Sequence, residues 1–170
     1  MCVFKLYSGG RMSKDRKLKI MFVCLGNICR SPMAEFVMRD ELSRRHLDHL
    51  IEVCSGATSY EEYGNPVYPP AVQKMKREGV TIYPHHATPI TREDYDRYDM
   101  FIGMEDYNLR RMRNIFGGDK DDKISKLLDY TSRGGDIADP WYSGNFDATY
   151  RDVVEGVDGL IKHLAENNLI

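Results

Sequence analysis

The sequence predicts an α/β fold: a single three-layer domain with a four-stranded parallel sheet and helices on both faces. Three observations carry the prediction. Apolar, β-rich runs alternate along the chain with stretches whose apolar residues recur at helical spacing, and such alternation folds as strand, helix, strand with right-handed crossovers. A Gly- and Asn-containing loop joins the first strand directly to the first helix. At 170 residues the chain is long enough for one domain with a proper core and short for two.

The first strand covers Lys17 to Cys24, with its apolar run from Leu18 to Val23. Ser31 and Pro32 then open a helix in which Met33, Ala34, Val37, Met38 and Leu42 share a face, running to His46. Leu50 to Cys54 forms a short second strand, and Ser55 to Pro70 is turn-rich, with Tyr60, Tyr63 and Tyr68 among Gly and Pro. A helix from Pro70 to Glu78 stops at Gly79. Arg92 to Arg97 reads as a short helix, Asp99 to Met104 as the third strand, Glu105 to Phe116 as an Arg-rich helix and Ile124 to Leu128 as the fourth strand. A long loop, Asp129 to Asn145, leads to the last helix, Phe146 to Asn167, whose Val153, Val157, Leu160, Ile161 and Leu164 form one apolar stripe. There are no internal repeats.

Composition narrows the function. A formal charge of −2 offers no general attraction for nucleic acid. No apolar stretch approaches the ~20 residues of a membrane span, and no signal-peptide core precedes the first strand. Four cysteines are present without a disulfide framework, so a reducing cytoplasm is the expected location. Residues 1–17, with Gly9-Gly10 and a basic run from Arg11, are expected to be a disordered leader or added extension, and residues 18–170 the domain.

The chemistry concentrates in Cys24-Leu25-Gly26-Asn27-Ile28-Cys29-Arg30-Ser31-Pro32. A buried strand brings Cys24 to the carboxyl edge of the sheet, where ligands of such sheets bind. The loop's backbone N–H groups can turn inward, and the positive end of the following helix faces the same point, which makes a cradle for a phosphate. Arg30 can return across the loop as a planar fork for two oxygens, which a Lys could not offer. A helix N-terminus and an Arg both favour a thiolate, so Cys24 is the candidate nucleophile. The hydroxyl of Ser31 can cap the helix, stabilise the sulfur, or do both.

This string, with Val23 before it and Met33-Ala34-Glu35 after it, and Asp139-Pro140-Trp141 near the other end, resembles the low-molecular-weight protein tyrosine phosphatases. The resemblance runs from about Leu18 to Leu164 and takes in Ser55-Gly-Ala-Thr58, Gly64-Asn-Pro66, Ile90-Thr91 and Asn108-Leu109. It implies hydrolysis of phosphotyrosine through a phosphocysteine, with no metal and no other cofactor. Phosphotyrosine-containing proteins would be the partners of a monomer or weak homodimer that binds neither nucleic acid nor membrane.

The resemblance also assigns roles. Asp139 would protonate the leaving phenolate and then activate water, although Asp129, Asp136 and Asp147 lie nearby in the sequence. Asn27 and Ser55 match a pair that holds the cradle open, and Asn tolerates the left-handed backbone such a loop needs. His85 falls where the family supports the loop from below, with His86 beside it as a competitor. Leu25 and Ile28 from the cradle, with Trp141 and Tyr142 after the acid and either Tyr60 or Tyr63, would wall a slot for a phenyl ring. At the family's usual wall position this chain has Glu61, and Glu105 stands where the family often has Asp. Cys29 lies within reach in sequence of Cys24 and could join it in a disulfide that protects the nucleophile.

Three rival functions are weaker. An arsenate reductase of the same fold relays electrons through further cysteines, and this chain has none after Cys54. A phosphate-carrying component of a sugar transport system would need neither Arg30 nor Asp139. A phosphotyrosine-binding module would keep the cradle and discard nucleophile and acid. Zinc at Cys24 and Cys29 with His85 and His86 is disfavoured by the short spacing across an anion loop.

Overall fold

The computed structural model describes residues 16–170. Its sheet has the strand order β2-β1-β3-β4, all parallel, from β1 (Leu18–Cys24), β2 (Ile51–Ala57), β3 (Met100–Gly103) and β4 (Ile124–Lys126). The helices are α1 (Arg30–Arg44), α2 (Pro69–Arg77), α3 (Asp94–Arg97), α4 (Asp106–Phe116), α5 (Pro140–Ser143) and α6 (Phe146–Glu166), with a 3-10 turn at Leu127–Tyr130.

The central strand shows why three layers form. Successive side chains of β1 point to opposite faces. Ile20 and Phe22 enter one cluster with Met33, Phe36 and Val37 of α1 and Val153, Val157 and Leu160 of α6. Met21 and Val23 enter a second with Tyr95, Leu109, Met112 and Phe116, on the side of α3 and α4. A strand buried on both faces must be apolar almost throughout, and β1 is. At ~25 cal/mol per Å² of apolar surface, side chains such as these supply most of the drive to fold.

Besides shifts of one or two residues at most of the element ends, four features differ from the sequence reading. Helix α1 begins one residue earlier, at Arg30, and Ser31 makes no capping bond. Strand β2 continues past Cys54 because Ser55, Gly56 and Ala57 pair with Phe22, Val23 and Cys24, so Ser55 lies within the strand. Strand β4 stops at Lys126, and Leu127 and Leu128 turn into the core from the 3-10 turn instead. The expected loop from Asp129 to Asn145 contains the turn of helix α5, begun by Pro140 and capped by Asp139. On α6 the apolar stripe is joined by Gly159, where an added Cβ would lie 2.2 Å from the Tyr130 carbonyl oxygen.

Residues 1–15 of the proposed leader lie outside the described residues. Its last two residues touch the domain: Arg16 pairs with Asp99 at 2.6 Å, and Lys17 Nζ donates to the Asp48 carbonyl at 3.1 Å.

Candidate active site

The loop from Leu25 to Cys29 sits at the carboxyl end of β1, where β2 and β3 also end. Thr58 N–H donates to the Cys24 carbonyl at 2.9 Å and Ser59 N–H to that of Leu25 at 3.0 Å, which extends the β1–β2 pairing into the loop base. Asn27 then reverses the chain at φ 59, the left-handed region that Asn visits more readily than most residues.

Asn27 is held on every polar atom of its side chain. Its Nδ2 donates to Ser31 Oγ at 2.8 Å and to Ser55 Oγ at 3.0 Å, and its Oδ1 accepts from Thr88 N–H at 3.1 Å. His85 Nε2 donates to the Asn27 carbonyl at 2.8 Å, which fixes that nitrogen as the protonated one. His86 instead meets the Gly64 carbonyl at 3.2 Å, away from the loop. The network continues outward. Ser55 Oγ donates to Glu35 Oε2 at 2.6 Å, and Arg39 pairs with the other oxygen of Glu35 at 2.8 Å. A fully satisfied polar network of this kind makes a loop rigid.

The Cys24 sulfur, 3 % exposed as a residue, sits inside this frame. Asn27 N–H donates to Sγ at 3.2 Å, and Ser31 Oγ lies 3.0 Å from it. Because Ser31 Oγ already accepts from Asn27, its hydrogen is free to point at the sulfur; the Gly56 carbonyl is its more distant alternative, at 3.5 Å. Both contacts bring a hydrogen-bond donor up to the sulfur. The backbone N–H groups of Gly26, Ile28 and Cys29 meet no acceptor among the described residues. These residues line the cleft beside Cys24, so their N–H groups and the N-terminus of α1 are available to an anion bound there.

Arg30 is 1 % exposed. Its Nη1 donates to Glu105 Oε2 at 2.8 Å and to the Ile137 carbonyl at 3.0 Å, and its Nη2 to Asp139 Oδ2 at 3.1 Å. Burial disfavours the charged guanidinium, but Cys24, Glu105 and Asp139 outweigh it and raise the pKa above the ordinary value, so the cation persists. These three bonds use three of five N–H donors and leave Nε–H and one Nη2–H without a protein acceptor among the described residues. The Cys29 thiol is pushed up to about 12, chiefly by burial and then by the neighbouring Cys24 and Asp139.

Asp139 has two attachments. Its Oδ1 accepts from Trp141 N–H at 3.1 Å, capping α5, while Oδ2 holds Arg30. The other aspartates are engaged elsewhere: Asp129 accepts from Lys126 N–H, Asp136 pairs with Lys126, and Asp147 pairs with Lys74. A cleft of about 70 Å³ opens over the sulfur, with Leu25 and Ile28 from the loop, Glu61 and Glu62 from the segment after β2, and Trp141 and Tyr142 from α5. Trp141 packs on Tyr68, ring centroids 4.8 Å apart. Neither Tyr60 nor Tyr63 lines the cleft. A larger cleft of about 490 Å³, between Arg92, Tyr95 and Lys120, contains no residue of the loop and no cysteine.

The structure therefore brings two hydrogen-bonded sets to one cleft: Cys24, Asn27, Ser31, Ser55 and His85 in one, and Arg30, Asp139 and Glu105 in the other. Glu35 extends the first set through Ser55, and both it and Glu105 were missed as site residues. Glu105 follows the end of β3 at the same sheet edge as Cys24, and that position was its available signal.

Comparison with known proteins agrees with this geometry. The family model for low molecular weight phosphotyrosine protein phosphatase matches residues 19–169. The chain belongs to that family. Within the family it is similar to the low molecular weight protein-tyrosine-phosphatase YfkJ of Bacillus subtilis, at 33 % identity over 85 % of this chain and 94 % of that one. The crystal structure of YfkJ superposes with a TM-score of 0.87 at 31 % identity, covering 91 % of this chain and 98 % of that one. The low molecular weight phosphotyrosine protein phosphatase of Pongo abelii is 36 % identical over 84 % of this chain and 93 % of its own. Another structural neighbour, the arginine phosphatase YwlE, carries a phosphorylated active-site serine in place of cysteine; it superposes at a TM-score of 0.76 and 27 % identity, over 87 % of this chain and 96 % of that one.

Proposed function

We propose that this family member is a phosphotyrosine phosphatase that works through a phosphocysteine on Cys24. The observation that carries the proposal is the position of the Cys24 sulfur. It accepts from Asn27 N–H and lies beside Ser31 Oγ, with Arg30 at the end of the same loop holding Asp139.

The loop N–H groups and the two unspent donors of Arg30 hold the non-bridging oxygens of the phosphate, where charge builds in the transition state. The Cys24 thiolate attacks phosphorus as the bond to the phenolic oxygen breaks, and Asp139 gives that oxygen its proton. Water then attacks the phosphocysteine while the Asp139 carboxylate takes a proton from it. The sulfur–phosphorus bond breaks, and thiolate returns to the contacts with Asn27 N–H and the Ser31 hydroxyl. Leu25, Ile28, Trp141 and Tyr142 wall the phenyl ring. Ser55 and His85 hold the loop through Asn27, and neither touches substrate.

The substrates are phosphotyrosine-containing proteins, met by a monomer or weak homodimer in the cytoplasm, with no part for nucleic acid or membrane. No helix among the described residues is long and apolar enough to cross a membrane.

The test is p-nitrophenyl phosphate turnover, with and without a metal chelator, in wild type, Cys24→Ser and Arg30→Lys. Turnover should survive the chelator. Cys24→Ser should abolish it and still bind vanadate, because the backbone cradle and Arg30 remain, whereas Arg30→Lys should lose binding and rate together. Cys24→Ser turnover within ~10-fold of wild type overturns the nucleophile.

A further inference from the structure

The mouth of the cleft differs in chemistry from its floor. At the floor lie the buried loop and Arg30, a cation already held by Glu105 and Asp139. At the mouth lie Glu61, exposed, and Glu62, half-buried, which enter no ion pair among the described residues. Glu62 packs its stem against Gly26 and accepts from the exposed Asn65 Nδ2 at 2.7 Å, which holds its carboxylate near the loop. Arg30 is the one Lys or Arg among the residues lining the cleft. Two exposed aromatic side chains, Trp141 and Tyr142 at 52 % and 80 %, also line the cleft.

We propose that this rim selects phosphotyrosine flanked by Arg or Lys. The inference rests on the phosphatase reading and adds the class of substrate. When the phosphotyrosine ring fills the slot, the residues on either side of it in the peptide lie at the mouth. A cation there meets two carboxylates with no competing cation, and it can lie over the exposed ring faces. An acidic flank meets like charge at the same place. The rim thus reads the sign of the neighbouring residue, while the floor reads the phosphate.

Two phosphotyrosine peptides that differ only in carrying Lys or Glu on both sides of the phosphotyrosine test this, with p-nitrophenyl phosphate as a probe that has no flanks. The Lys peptide should have a kcat/KM ~10-fold higher at low ionic strength, and the ratio should fall towards ~2-fold at about 1 M salt, since exposed charges are screened. Glu61→Gln should shrink the ratio and Glu61→Lys should bring it to unity or below, with p-nitrophenyl phosphate turnover and the melting temperature reporting whether each variant is folded. Equal kcat/KM for the two wild-type peptides, or a preference for the Glu peptide, overturns the inference while p-nitrophenyl phosphate turnover leaves the phosphatase reading standing. Faster turnover of a phosphoarginine peptide than of either phosphotyrosine peptide also overturns it, because the cation would then sit in the slot itself. No turnover of any aryl phosphate removes the phosphatase reading, and the rim inference with it.

Discussion

Glu105 accepts a hydrogen bond from Arg30 Nη1 at 2.8 Å, so the guanidinium proposed to meet the phosphate is held by a carboxylate that follows the end of another strand. Charge-assisted bonds of this type contribute about 1.5–3 kcal/mol. Glu105→Ala is expected to lower kcat/KM for p-nitrophenyl phosphate by ~10-fold or more, with vanadate affinity falling in parallel, as loss of a positioned Arg predicts. Glu105→Asp, which can keep the carboxylate near Arg30, should recover part of the loss. Unchanged vanadate affinity in the Ala variant would show that Arg30 needs no such partner.

Asp139→Asn should slow aryl phosphate hydrolysis by ~10² or more, through loss of the proton donor. The deficit should shrink as the leaving group improves, since a phenol of low pKa departs without a proton. Asp129→Asn and Asp136→Asn are the controls, because Lys126 holds both carboxylates outside the cleft. A leaving-group dependence that appeared in either control and not in Asp139→Asn would move the acid elsewhere.

Peroxide inactivation should be reversible by thiol through a Cys24 to Cys29 bridge, and the structure adds a pH dependence. Cys29 is pushed up to about 12, and only its thiolate can attack an oxidised Cys24. Oxidation to the neutral sulfenic acid removes the contribution of Cys24 to that rise, while burial, the larger cause, stays. A raised pKa means less thiolate at neutral pH and more as pH climbs, so the bridged and recoverable fraction should be larger at pH 9 than at pH 7. Cys29→Ser should lose recovery at both. Mass spectrometry that found a Cys24 to Cys54 bridge, or full recovery with no bridge, would refute the role of Cys29.

Gly159→Ala tests the packing of α6. Alanine is the better helix former by ~1 kcal/mol, so helix propensity alone predicts stabilisation. The added Cβ would instead lie 2.2 Å from the Tyr130 carbonyl oxygen, a backbone atom that cannot step aside. Overpacking of this kind typically costs about 1–3 kcal/mol, and the melting temperature should fall. A rise would mean that the 3-10 turn gives way freely.

The four-stranded parallel sheet and the candidate residues Cys24, Arg30 and Asp139 were accessible from sequence for different reasons, whereas the strand order β2-β1-β3-β4 was not. Strands β1 and β3 are buried on both faces, so their apolar runs read clearly. The loop carries its own punctuation, a left-handed Asn27 and a Pro32 inside the first turn of α1. The role of Asp139 came from resemblance, and the Pro140-Trp141 that follows it is the local feature absent after Asp129 and Asp136; in the fold that continuation becomes α5, and contact with Arg30 separates Asp139 further. Ser55-Gly56-Ala57 has weak strand propensity, and pairing with β1 overrides it. Helix α5, at four residues, is too short to show a period. For Ser31 the sequence left a helix cap and a contact with the Cys24 sulfur both open; the hydroxyl takes the second, with Asn27 as its other partner.

The three hydrogen bonds of Arg30 span 75, 107 and 109 residues of sequence. Contacts of such long range close only after the intervening chain has been ordered, because each must first offset the entropy of a large loop. Strand β1, its loop and α1 can assemble from neighbouring residues, but the guanidinium finds its carboxylates only once β3 and α5 have docked. During refolding, helical signal should therefore return before phosphatase turnover does. A chain stalled short of α5 would hold the cysteine and the arginine within one loop and still have no active site.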